Sequence, residues 1–183
     1  MYRTSFLVPW EGMTPTEIRS YKQRAIDRGV ARLGPAPGLN IVTTPDDLTV
    51  RLIRAWADLA VTGSTVNEDQ WAWTLAAGLN PGLVNVVLQA NQLVVFYGVD
   101  DYDANPVATL MTFATAAAGG VTKMIADLQD CRGFTYCAGM FSEPVVYDPQ
   151  QRIYISVESD AAHAPEMIKL LGYMIEPSGT TLS

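Results

Sequence analysis

The segment from Phe141 to Ile175 restricts the fold more than any other part of this chain. Val145-Val146-Tyr147 runs into Asp148-Pro149-Gln150-Gln151, and the chain resumes as Arg152-Ile153-Tyr154-Ile155-Ser156-Val157-Glu158. This pattern predicts two strands around a turn. Ile153, Ile155 and Val157 fall on one face and their polar neighbours on the other, the period of two of a half-buried strand. Pro149 fixes one turn dihedral and has no N–H for a ladder, so it belongs in the loop. After a linker from Asp160 to Glu166, the run from Met167 to Ile175 is apolar on both faces, which suits a strand buried inside a sandwich. The expectation is an antiparallel β-domain closed by its C-terminal strands.

A chain of 183 residues is most simply one domain and can bury about 70% of its unfolded surface, enough to fold without staples. Hydrophobic residues make up 49% and charged residues 17%, sparse beside an average near 25%, so part of the surface is expected to be covered by partners. The net charge of -7 argues against nucleic-acid binding by the chain as a whole. Residues 1 to 34 nevertheless hold six basic against three acidic groups, while the remainder holds six against sixteen. Three Lys against nine Arg, with twelve Asp, fit either a GC-rich genome or a high-salt environment. No apolar run reaches 18 residues and the N-terminus shows no signal-peptide pattern, so synthesis in the cytoplasm without a membrane span is expected.

Thr14 as N-cap, Pro15 at the first helical position and Glu17 form a capping box, and Ile18, Tyr21, Ala25, Ile26 and Leu33 continue at helical spacing to a stop at Gly34-Pro35. With the Pro/Gly connector through Gly38, this predicts an N-terminal arm over residues 1–38 and a β-barrel domain over 39–183. Leu39 to Thr43 reads as a strand. Residues 45–60 fit a helix or a strand, and so does Val121 to Gln129. Gln70 to Ala76 reads as a strand, Gly78 to Gly82 as a turn, and Leu83 to Leu88 with Gln92 to Val99 as a hairpin around Gln89-Ala90-Asn91. Val107 to Thr115 and Phe134 to Phe141 complete about eight short strands, the spacing of a sandwich or barrel.

Candidate chemistry is thin. His163 is the only histidine, which excludes a two-imidazole metal cluster, and it sits among small residues as a solvated loop residue with pH sensing left open. Asp101, Asp103 and Asn105 match the D-x-D-x-N opening of a calcium loop, but Pro106 stands at the required Gly and Thr112 at the required Glu, which favours an exposed acidic loop. Cys131 and Cys137 either pair through a folded-back loop or remain buried thiols, the latter being favoured. Trp71 and Trp73, beside Glu68 and Asp69, fit either core packing or a sugar-stacking platform in a carbohydrate-binding or hydrolytic sandwich. No catalytic, cofactor or metal site is expected, and no enzyme activity.

Glu143-Pro144-Val145-Val146-Tyr147-Asp148-Pro149, leading into Ile153 to Val157 and the closing strand Leu170 to Ile175, resembles the penultimate hairpin and last strand of viral single jelly-roll capsid proteins. Size, acidic Lys-poor composition and the lack of a long basic tail are most similar to the small major capsid proteins of tailless icosahedral viruses with an internal membrane, including haloarchaeal ones. The resemblance implies an all-β chain, a single eight-stranded antiparallel jelly roll with an N-terminal helical arm. It also implies a structural virion protein made in the host cytoplasm, a capsid subunit that associates with its own copies and a second capsid protein. A component of a tailed phage head or tail shares this assembly logic. The basic helix carrying Arg19, Lys22, Arg24, Arg28 and Arg32 would then touch a neighbouring subunit or the internal membrane, or lie docked on its own barrel, with no sequence-specific contact to nucleic acid.

Overall fold

The computed structural model describes residues 4–5, 7–32, 48–61, 63, 71–134 and 138–177. Along the chain these form β1 (Thr4–Ser5), β2 (Leu7–Pro9), α1 (Pro15–Arg32), β3 (Leu48–Leu52), α2 (Ala55–Leu59), β4 (Trp73–Leu75), β5 (Gly78–Val87), β6 (Leu93–Asp101), β7 (Ala108–Ala114), β8 (Thr122–Asp127), β9 (Ala138–Tyr147), β10 (Arg152–Ser159), β11 (His163–Glu166) and β12 (Ile168–Pro177). The chain is all-β apart from its helices. One sheet has the order β1-β8-β7-β10-β5, the other β2-β9-β6-β12-β3, and β11 pairs with β4. All pairings are antiparallel except β1 with β8.

The two sheets face each other across an aromatic core. Phe96 of one sheet meets Phe113 of the other at 5.5 Å between ring centroids, and Tyr147 and Phe141 stand edge-on to these rings. The Tyr147 hydroxyl donates to the Ala114 carbonyl at 3.0 Å, so this buried phenol keeps a partner. Ile153, Ile155 and Val157 are all buried, as their spacing predicts.

The second sheet has both faces covered. Val94, Phe96 and, past the register shift beside Gly98, Val99 of β6 enter the inter-sheet core together with Leu170 and Met174 of β12. The odd-numbered Leu93, Val95, Tyr97 and Ile175 turn to the outer face and pack with Tyr21 and Ala25 of α1. That is why the run from Met167 to Ile175 lacks polar alternation. Helix α1 begins as its capping box predicts: Thr14 N–H donates to Glu17 Oε2 at 2.7 Å, and Glu17 N–H donates to Thr14 Oγ1 at 3.3 Å. Gly29 lets the helix approach closely, since a Cβ there would lie 2.6 Å from Ile175 Cδ1.

Several expectations need correction. The segments joined at Gln89-Ala90-Asn91 are not a hairpin, and neither are those joined at Asp148 to Gln151. In each case the chain leaves one sheet and enters the other: β5 pairs with β10, and β6 with β9 and β12. The two connections bond to each other, with Leu88 N–H donating to Gln151 O at 3.0 Å and Gln150 N–H to Gln89 O at 3.3 Å. Alternation specifies which face of a strand is apolar; it does not specify the partner strand. Gly78 to Gly82 is not a turn but the first half of β5. Gly78 and Gly82 have φ of +89° and +62°, and the register with β10 shifts beside Asn80 and Val84. Pro81 is tolerated there because β5 is an edge strand.

Where the sequence fitted either element, residues 48–59 supply both, a strand and then a short helix, and residues 122–127 are a strand. The strand expected from Phe134 begins at Ala138, after a 3-10 turn over Asp130–Gly133. The strand expected from Gln70 shrinks to Trp73–Leu75, and the linker at 160–166 contains β11. The stop at Gly34-Pro35, the connector to Gly38, the strand at 39–43, Glu68, Asp69 and Cys137 lie outside the described residues.

Candidate functional site

Three chain segments meet where β6 leaves its sheet. The loop after β6 carries Asp103, whose carboxylate is held by two backbone N–H groups: Oδ1 accepts from Asn105 N–H of the same loop at 2.8 Å and Oδ2 from Met167 N–H, between β11 and β12, at 3.0 Å. Strand β11 supplies His163 and Glu166. Glu166 is fully buried, and its Oε1 accepts from the Val107 and Ala108 N–H groups at 2.9 and 3.0 Å, closing the start of β7. Its other oxygen, Oε2, finds no hydrogen-bond partner. It lies 3.9 Å from His163 Nε2, which is itself 3.4 Å from Asp103 Oδ1. One donor atom from each of Asp103, His163 and Glu166 falls within 4.8 Å of the others.

Asp101 stands behind this group, 1% exposed, and its Oδ2 is also without a hydrogen-bond partner. Burial, and then the neighbouring Glu166 charge, push the Asp101 carboxyl up to about 7. The arrangement therefore concentrates three largely buried carboxylates beside one part-exposed imidazole, the donor set of a cation-binding centre. Sequence reasoning singled out Asp101, Asp103 and Asn105 but placed them in an exposed loop and His163 in a solvated one. It missed Glu166 altogether. Asn105 is exposed and contributes only its backbone N–H. The signal was the D-x-D pattern; what it lacked was the pairing of β11 with β4 that brings His163 and Glu166 alongside.

The basic helix is partly neutralised by its own sheet. Arg28 pairs with Glu143 at 3.5 Å and Arg32 with Asp148 at 3.1 Å. Lys22 and Arg24 lie over the Trp10 and Tyr21 rings. Arg19 is exposed.

Trp71 and Trp73 are 1% and 2% exposed, with ring centroids 6.5 Å apart, and Trp73 Nε1 donates to Ile168 O at 2.6 Å. They belong to the core and present no face to a sugar. The exposed apolar side chains lie elsewhere. Edge strands β3 and β5 each have a single neighbouring strand among the described residues, and α2, which follows β3, packs on β5. Leu52 on β3, Trp56 on α2 and Leu79 on β5 are 61%, 43% and 62% exposed, with Val50 and Val87 also exposed beside them. These side chains form an apolar rim along the strands that end the two sheets among the described residues, the usual mark of an association surface.

No helix among the described residues is long and apolar enough to cross a membrane. No protein-family model, no curated protein and no solved structure matches this chain, so the reading of its function rests on its own geometry.

Proposed function

We propose that this chain is a jelly-roll structural subunit that builds a shell by associating with copies of itself and a related subunit, in the manner of the small major capsid proteins that its C-terminal strands resemble. One observation carries the reading. Taking β3, β5, β6, β7, β8, β9, β10 and β12 as strands one to eight, the hydrogen-bonded antiparallel pairs include one with eight, two with seven, three with six and four with five. Such nesting is what a long four-pair hairpin gives when it is wrapped over itself, leaving two sheets of four, which is the plan of a double-sheet jelly roll. Strands β1, β2, β4 and β11 are short additions to that plan. The apolar rim at β3, α2 and β5 supports self-association, because a monomer would have to leave these side chains in water. Arg19, exposed on α1, offers a second contact, to a neighbour or to anionic lipid beneath a shell, while Arg28 and Arg32 are engaged by Glu143 and Asp148.

Sedimentation velocity of the purified chain at low and at molar salt tests the reading. Discrete oligomers or larger assemblies are expected; a monomer at every salt and concentration refutes it.

A further inference from the structure

We propose that Asp103, His163 and Glu166 form a binding site for one divalent transition-metal cation of the Zn2+ class, which ties the loop after β6 to β11. The first support is geometric. Four donors around Zn2+ at 2.0–2.1 Å stand about 3.3 Å apart. His163 Nε2 already lies 3.4 Å from Asp103 Oδ1 and 3.9 Å from Glu166 Oε2, and all three donors fall within 4.8 Å of one another, so the cluster needs only a modest contraction to reach the ligand spacing. The second support is the buried oxygen of Glu166. Its carboxylate is held from behind by two backbone N–H groups, and the remaining oxygen points toward His163 without a hydrogen-bond partner. An acceptor that is desolvated and unpaired is costly, and a cation at this place removes the cost. The orphaned Asp101 Oδ2 adds a further buried acceptor in the same corner.

The donor set also selects the ion. Calcium and magnesium take oxygen ligands, whereas imidazole with two carboxylates suits zinc, and three protein donors leave the fourth position to water. Asp103 and Glu166 are each oriented by backbone N–H groups, the outer support that metal ligands need. The site is independent of how the chain assembles. It joins the loop after β6, the start of β7 and strand β11, so that both sheets are tied at one corner.

The test uses the full chain, stripped with EDTA and titrated with ZnCl2. One equivalent of Zn2+ per chain is expected, retained through dialysis and not displaced by a hundredfold excess of Ca2+ or Mg2+. His163→Ala and Glu166→Gln are each expected to weaken binding at least tenfold; Gln keeps an oxygen for the Val107 and Ala108 N–H groups. Failure to retain Zn2+, displacement by Ca2+, or variants that bind like the parent overturn the proposal. Should either variant not fold, Co2+ loaded into the parent decides. Intense visible bands of a tetrahedral centre without thiolate charge transfer support the site; weak octahedral bands, or thiolate bands pointing to cysteine, refute it.

Discussion

Asp58 shows how one side chain can hold several elements. Its carboxylate is 2% exposed and accepts from Arg51 Nη1 and Nη2 at 2.7 and 2.9 Å and from the Arg54 N–H at 2.7 Å. Arg51 in turn donates through Nε to Glu176 at 2.9 Å, and Gln92 donates to the other Glu176 oxygen at 3.1 Å. This network joins α2, β3 and β12. Burial pushes the Asp58 carboxyl up, but the hydrogen bonds from Arg51 and Arg54 and the charges of both arginines outweigh it and hold the group below the usual carboxylate range. A depressed carboxyl contributes stability above its unfolded value near 3.9 and loses it as pH falls through the lower folded value. Asp58→Asn is therefore expected to cost about 3 kcal/mol in urea denaturation at pH 7, with the gap to the parent narrowing below pH 4. An unchanged gap from pH 7 to pH 2 would sink this account.

At the scale of elements, helix α1 is the clearest case of tertiary context giving a local pattern its meaning. The capping box and the spacing of Tyr21 and Ala25 are plain in the sequence, and the helix forms where they predict. Its destination was not legible, because an apolar stripe specifies a need for burial and not the surface that meets it. The cover it provides explains the outward Leu93, Val95 and Ile175. Ala25 is fully buried at this contact, so Ala25→Glu places a carboxylate among those side chains. The expected cost is about 3 kcal/mol, with faster amide exchange in β6 and β12 as well as in α1. Exchange that accelerates only within α1 would mean that the helix protects nothing beneath it.

At the scale of the molecule, the exposed apolar rim at β3, α2 and β5 is where association is expected. Leu52→Glu combined with Leu79→Glu adds charge to both edge strands at exposed positions, so folding stability should change by less than about 0.5 kcal/mol. The sedimenting species should nevertheless shift toward the monomer. Unaltered assembly by the double variant would place the contact elsewhere, with the face of α1 that carries Arg19 next in line.

The sequence by itself determined the all-β character, the N-terminal helix with its start at Thr14 and Pro15, the inward face of β10, the burial of β12 on both faces, and the count of one histidine per chain. These follow from local periodicity, capping and residue counts, which act over a few residues. Tertiary structure alone decided which strands pair. The segments on either side of Gln89-Ala90-Asn91 and of Asp148 to Gln151 read from the sequence as strands joined by turns, the first pair as a hairpin, and it was the packing of two apolar faces on each other that selected crossings between the sheets instead. The cation site depended on the same choice. Asp103 and Glu166 are 63 positions apart, and only the return of β11 to β4 beside the loop after β6 brings their carboxylates to one histidine.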